Sequence, residues 1–472
     1  MWSDRLAPSS RHDLVERLRG VLPAPAPHAR TETIPLAWKR TPAEAASALQ
    51  HKPGFVWLDR PCDSRLFVDP LARITVRRGV ASLQGPAGTL TLPVRGFDLI
   101  EAIAEAWGGP DGALLCGYLG YELGCELEDV ELPKPSPADP PDLHLGLYDR
   151  RLEHGPEGWL FRACNAWRPV VPPSREPALR PSPAAFIDPA GDVSSTPDAD
   201  GFRAAVARTV DRIYNGELFQ VNLCRRLETA WPGSQLWPLY LRLREISPAS
   251  QGAFIRTGAR TAVLSVSPEL FLSVRQGQVC SRPIKGTRPR GATPEADAAF
   301  LAELQSSEKD RAELAMIVDV VRNDLGRVCL PGSVEVTRHA TLLTLPTVHH
   351  TYSEVAGRLR EDCGPADLLR ACAPPASISG APKIRAMQLA ALEEGYRRGP
   401  CMGSIGWMAL DGDMEWSVAI RTAVGAARRV WYLAGCGITA ESVPQEELAE
   451  SAAKAAAFLQ ALGVPADSRP AT

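Results

Sequence analysis

The sequence predicts an α+β fold, and three observations carry that prediction. Short apolar runs of strand length recur between Gly and Pro punctuation through the first third of the chain. The second half interleaves such runs with a few longer segments whose apolar residues recur every three or four positions. Two turn dipeptides, Gln276-Gly277 and Asp411-Gly412, join neighbouring strand candidates, which favours antiparallel pairing.

Taken in order, residues 1–31 are rich in Pro, Ala and Arg and are expected to be a poorly ordered tail. Residues 32–168 form an N-terminal part in which the runs at Phe55, Ile74 and Leu114 read as strands outnumbering helices. Eight prolines between Pro169 and Pro197 forbid a helix interior or a central strand, so residues 169–199 read as a surface connection. Residues 200–464 form the C-terminal region. There Asp200 can cap a helix with the stripe Phe202, Val206, Val210 and Ile213. Next, Phe219, Val221 and Leu223 alternate with Gln220 and Asn222, as in a strand. Further strands are expected at 262–266 and 270–274, and another leads into Pro283-Ile284-Lys285-Gly286-Thr287. Residues 306–322 predict a buried helix with a capping serine, followed by strands near 333–338 and 347–356. A Pro/Ser/Gly loop at 374–380 opens a helix from Ala381, with Pro382 in its first turn. The last helix runs from about Gln445 to Leu462.

Composition narrows the function classes. The 472 residues carry 52 basic and 55 acidic side chains, a net charge of −3, with 45% hydrophobic and 23% charged residues. This is the balance of a globular protein, and no basic patch suggests nucleic acid. No apolar stretch approaches the roughly 18 residues that span a bilayer, and the charged N-terminus has no signal-peptide core. No membrane or nucleic-acid partner is expected. Eleven cysteines with no Cys-x-x-Cys spacing read as reduced thiols of a cytoplasmic protein. Only seven of the 52 basic residues are lysines: Lys39, Lys52, Lys134, Lys285, Lys309, Lys383 and Lys454. A lysine retained in so arginine-rich a chain tends to sit where arginine cannot do the job.

Several residues could carry chemistry. Asp310/Glu313 and Glu447/Glu450 are acidic pairs at three-residue spacing, which puts each pair on one helical face. If the two faces converge, they could hold a hard cation such as Mg²⁺; if not, they are solvated surface. Lys285, followed by Gly-Thr at a strand end, could be a nucleophile or a turn lysine. Glu269, in Ser-Pro-Glu at the head of the adjacent strand, could be a general acid if buried. His349 and His350 point to opposite faces of a strand, so at most one reaches a given cavity. The Ser377–Lys383 loop presents backbone N–H groups at a helix start, and Gly435-Cys436-Gly437 has the small residues that let amides approach a carboxylate.

In this order the segments resemble the chorismate-utilising enzyme family. The resemblance runs through Asn215–Leu223, Ser267-Pro268-Glu269, Pro283–Thr287, Asp310-x-x-Glu313, Thr347–His350 and Ser377–Lys383. It continues through Gly403–Trp407, Ala419-Ile420-Arg421, Ala434–Ile438 and Glu447-x-x-Glu450, with Gly117–Glu122 extending it into the N-terminal part. It implies large mixed or antiparallel sheets packed as an α/β/β/α sandwich of the anthranilate synthase component I type. Gln220 stands where water-adding members carry a lysine base. Lys285 stands where anthranilate synthases carry alanine, which is the form of the aminodeoxychorismate synthase component I branch.

The resemblance implies amination of chorismate at C4, with Lys285 as covalent nucleophile and Glu269 as general acid. It implies Mg²⁺ held by Glu313 and Glu450, with Asp310 and Glu447 around it. Gly286, Thr287, Gly435 and Gly437 would offer donors to the ring carboxylate, and Arg421, beside Ile420, would pair with the enolpyruvyl carboxylate. His350 and Ser377 would line the site, and Lys454 would balance the acids. Cys401 replaces a family tyrosine that contacts the enolpyruvyl group. No tryptophan-sensing Leu-Leu-Glu-Ser is present near Val56–Asp59, so tryptophan feedback is not expected. No glutaminase motif is evident, so ammonia would come from a glutamine amidotransferase subunit in a heterodimer. The alternatives are anthranilate synthase component I and a non-catalytic paralogue that binds the amidotransferase.

Overall fold

The computed structural model describes residues 6–26, 29–108, 112–128, 130–178, 192–345 and 348–465. Two twelve-stranded sheets dominate it, and every strand pair in them is antiparallel. The first runs from Thr31–Leu36 at one edge, through Val56–Asp59, Gln251–Gly258, Thr261–Ser267, Thr422–Ala426 and Arg429–Ile438, to Gln220–Ala230 and Ser194–Thr196. The second runs from Ile284–Pro289 and Val348–Arg358, through Leu270–Arg275, Met414–Val418, Ser404–Ala409 and Leu114–Leu119, to Gly88–Pro93. Both sheets therefore join strands from before and after the Pro-rich connection. The sequence division at 169–199 does not separate two independent sheets.

The two sheets face each other over one large core, with Leu58, Phe67, Ile255 and Leu433 from the first against Ile74, Leu115, Tyr118 and Trp416 from the second. Helices Leu236–Ile246 and Pro444–Leu462 cover the outer face of the first sheet over Trp57, Phe254 and Tyr432. Helices Pro8–Val21, Gly96–Trp107, Glu308–Gly326 and Pro365–Cys372 close the other side. This is the α/β/β/α order that the resemblance implied. No helix among the described residues is long and apolar enough to cross a membrane. None of the eleven cysteines is in a disulfide.

Some local expectations need correction. Residues 8–21 of the presumed tail form a helix that buries Leu14, Val15 and Leu18 against Gly96–Trp107 and sets Val21 against Gly85. The Pro/Arg-rich composition hid that stripe. Residues 1–5 and 179–191 lie outside the described part of the chain. The helix expected from Asp200 spans Ala199–Tyr214 and is capped by Asp198, whose side chain accepts from the Gly201 N–H. The helix expected from Ala381 begins at Lys383, because Gly380–Ala381 pairs with Gln220–Val221 instead. Helix Pro294–Ser306 has no counterpart in the sequence reading.

Candidate active site

The site lies where Ile284–Pro289, at the edge of one sheet, meets Gln220 and Gly437 of the other. Gly286 has φ +74°, and a Cβ there would stand 2.8 Å from Leu304 Cδ1 and 3.1 Å from the Asp310 carboxyl carbon. Glycine therefore permits both the backbone turn and the close approach of helix Glu308–Gly326. That helix starts at Ser307, whose hydroxyl accepts from the Asp310 N–H at 3.2 Å.

One turn on, Glu313 Oε2 lies 3.8 Å from Lys285 Nζ and accepts from Gln220 Nε2 at 3.4 Å. Both Lys285 and Glu313 side chains are only 14% exposed. Gly437 is the other close approach: a Cβ there would meet Gln220 Nε2 at 2.3 Å and Lys285 Nζ at 3.4 Å. The lysine is thus inside the protein and held against a carboxylate.

The second acidic pair sits at the start of helix Pro444–Leu462. Glu447 is buried; its Oε1 accepts from Ser442 Oγ at 2.7 Å and lies 3.8 Å from Lys309 Nζ. Burial raises its pKa, Ser442 opposes that, and Glu450 adds to it. Glu450 Oε1 is 2.7 Å from Lys454 Nζ, which also donates to the Gly435 carbonyl at 2.9 Å. Burial works against the Glu450 charge, but Lys454, Lys285 and Lys309 together hold its pKa below the usual range.

The two acidic faces do converge. Burial penalises the Lys309 charge, yet Glu447, Glu313, Glu450 and Asp310 all favour it, and its pKa is raised. Asp310 Oδ2 pairs with Arg288 at 3.2 Å. Neither Asp310 Oδ2 nor Glu447 Oε2 makes a hydrogen bond among the described residues, though both are buried. Asp310 Oδ2 and Glu447 Oε2 leave acceptor capacity among four clustered carboxylates, a donor set that fits a hard divalent cation such as Mg²⁺.

Glu269 is on the opposite wall, ahead of strand Leu270–Arg275, and is 3% exposed. Burial pushes its pKa up to about 7, opposed by Ser377, the Lys285 charge and the Ile284 backbone amide. Ser377 Oγ is itself buried beside it without completing a hydrogen bond. His350 Nδ1 faces Thr287 Oγ1 at 2.9 Å and the Gly286 carbonyl at 3.4 Å. Burial, with the charges of Arg421 and His349, lowers its pKa to about 4 against the opposing hydrogen bond to the Gly286 carbonyl. The imidazole is therefore neutral at ordinary pH.

His349 points away, to Asp297 Oδ1 at 3.0 Å and Thr344 Oγ1 at 2.9 Å. Arg421, at φ +50°, carries its charge within reach of His350, Tyr432 and Lys454, while Ile420 packs partly buried against the core. Cys401 is buried, with its thiol donating to the Thr422 carbonyl at 3.3 Å.

Three features escaped the sequence reading. Lys309 and Arg288 sit among the acids, and only the scarcity of lysine pointed to the first. A buried ion pair supports the loop behind the site: Arg398 binds Glu394 at 2.6 Å and donates to the carbonyls of Ile378 at 2.9 Å and Asn222 at 2.7 Å. Glu394 in turn accepts from the Cys224 N–H at 2.9 Å. Those bonds tie the Ser377 loop to the strand that carries Gln220.

A model of chorismate binding enzymes matches residues 53–460. The chain belongs to the chorismate-binding enzyme family. Among relatives of this family, it is 40% identical over 376 residues to an aminodeoxychorismate synthase of Streptomyces griseus, covering 75% of this chain and 51% of that protein. It is 39% identical over 350 residues to aminodeoxychorismate synthase component 1 of Klebsiella aerogenes, covering 72% of this chain and 74% of the relative. The family fold is shared with anthranilate synthase component I from Streptococcus pneumoniae TIGR4, at a TM-score of 0.70 and 25% identity, over 97% of this chain and 98% of that one.

Proposed function

We propose that the chain aminates chorismate at C4 with ammonia to give 4-amino-4-deoxychorismate. The observation that carries this reading is Lys285 Nζ held 3.8 Å from Glu313 inside the pocket, with the pKa of buried Glu269 near 7 within electrostatic reach of it. Gln220 in place of a basic residue disfavours activation of water, because an amide cannot take a proton at neutral pH. The Klebsiella relative is named component 1, which supports a separate glutamine amidotransferase subunit as the source of ammonia.

The chain's own groups account for the proton traffic. Glu269, ionised in part near pH 7, takes a proton from the Lys285 ammonium. The freed amine attacks ring carbon 2 as Glu269 returns that proton to the 4-hydroxyl, which leaves as water while the ring double bond shifts. Ammonia then bonds to carbon 4, the ring double bonds move back as the lysine–carbon bond breaks, and Lys285 leaves as the neutral amine, which takes up the proton that the new ammonium group at carbon 4 releases. One displacement is thereby divided into two. Mg²⁺, held by Glu313 and Glu450 with Asp310 and Glu447 around it, would neutralise the ring carboxylate and draw electron density toward it. Gly286, Thr287, Gly435 and Gly437 line the approach to that carboxylate, Arg421 receives the enolpyruvyl carboxylate, and His350 fixes Thr287. Lys454 keeps Glu450 ionised.

Product analysis tests the reading. Protein, chorismate, Mg²⁺ and ammonium should yield a compound that an added 4-amino-4-deoxychorismate lyase converts to 4-aminobenzoate. Anthranilate alone would overturn the proposal in favour of anthranilate synthase chemistry.

A further inference from the structure

The acidic half of the pocket contains a sulfur donor that the reaction does not use. Strand Arg429–Ile438 turns Gly437 toward Gln220 and Lys285 and Gly435 toward Cys224, and sends the alternate residue, Cys436, to its other face, against helix Pro444–Leu462. The Cys436 thiol is fully buried there and donates to the Glu447 carbonyl at 3.3 Å. Its sulfur and one carboxylate oxygen from each of Glu447 and Glu450 lie within 4.8 Å of one another. An independent feature points to a ligand: Glu447 is 3% exposed, yet its Oε2 has no hydrogen-bond partner among the described residues. Lys454 engages Glu450 at 2.7 Å through Oε1, and Lys309 approaches Glu447 Oε1 at 3.8 Å.

We infer that Cys436, Glu447 and Glu450 form a site for a thiophilic divalent cation, of the Zn²⁺ or Cd²⁺ class, which overlaps the carboxylates that serve Mg²⁺. A hard cation has no use for sulfur, whereas zinc-like ions gain most from one thiolate joined to oxygen donors. On binding, the sulfur–hydrogen bond breaks, its proton passes to solvent, and a metal–sulfur bond forms; no electrons change hands. The cation would bridge strand and helix, and while it held both carboxylates Mg²⁺ could not use them. The overlap with Mg²⁺ rests on the proposed function; the sulfur site does not.

Cd²⁺ titration of the intact chain, without chorismate or ammonia, separates the two. Ultraviolet absorption from cadmium–thiolate bonds should show one equivalent more in the wild type than in Cys436→Ser. Glu447→Gln, which keeps the thiol, should weaken that equivalent at least tenfold. Millimolar Mg²⁺ should displace the same equivalent from the wild type. Equal cadmium–thiolate absorption in wild type and Glu447→Gln would overturn the site even if Cys436→Ser failed to fold, as would an unchanged signal in a folded Cys436→Ser. A site that forms but ignores Mg²⁺ would overturn the overlap alone.

Discussion

Replacing Glu269 by Gln separates its catalytic role from its cost to stability. In an unfolded chain this carboxyl titrates near the ordinary value of 4.5, and in the folded protein burial moves it to about 7. Each pKa unit corresponds to about 1.4 kcal/mol, so ionised Glu269 is roughly 3 kcal/mol less favourable in its pocket than in water. Between these two pKa values the folded state holds a proton that the unfolded state has released. Stability therefore falls as pH rises through this window, and the contribution is fully lost above about 7. Glu269→Gln keeps the shape and removes the charge. Urea unfolding at pH 4 and at pH 8 should show the variant gaining on wild type by about 3 kcal/mol between the two, while activity drops by 10²–10⁴ as expected for loss of a general acid. A stability difference that does not move with pH would refute the buried-carboxylate reasoning. Retained activity would refute the acid role independently.

Lys285→Ala should abolish covalent trapping of substrate, seen by mass spectrometry of the intact chain, yet retain a small ammonia-dependent rate if the ring can be attacked directly. Gly437→Ala places a methyl 2.3 Å from Gln220 Nε2 and 3.4 Å from Lys285 Nζ, so kcat/KM for chorismate should fall about ten- to a hundredfold, with far-ultraviolet dichroism unchanged. Lys309→Met removes a cation 3.8 Å from Glu447 Oε1, and calorimetry should find Mg²⁺ bound several-fold more tightly. An NMR titration of His350 should find it neutral down to about pH 4, without a transition near 6.5.

The fold was legible wherever one period ran long enough. The helix with Asp310 and Glu313, the hairpin at Asp411-Gly412 and the final helix were all readable, because burial on one face forces a regular spacing. Helix Pro8–Val21 was not, because arginines crowd its exposed face and proline opens it. The candidate site residues were visible as residue types, but their convergence was not. Nothing in the spacing of Asp310 and Glu447 says that two helices from opposite layers aim at one strand end. Lys309 escaped for a related reason, since its meaning comes from four carboxylates that are distant in sequence. Ser377 likewise owes its position to Arg398, which donates to the next residue's carbonyl at 2.9 Å.

The charge balance of the pocket connects these observations. Four carboxylates face the ammonium groups of Lys285, Lys309 and Lys454, so the protein's own charges leave the site close to neutral and the acids cost little to hold there. A dication alone would leave it positive, and a dianionic substrate alone would leave it negative. Together they restore the starting balance. On the proposed function the lysines among the acids do more than stabilise the fold: they would hold the affinity for Mg²⁺ low until substrate arrives, and Lys285 would be the one that reacts with the ring. Arginine could supply the same charge, but it could not surrender a proton to Glu269 and attack carbon, so the proposed function would account for a lysine at that strand end in a chain that otherwise prefers arginine.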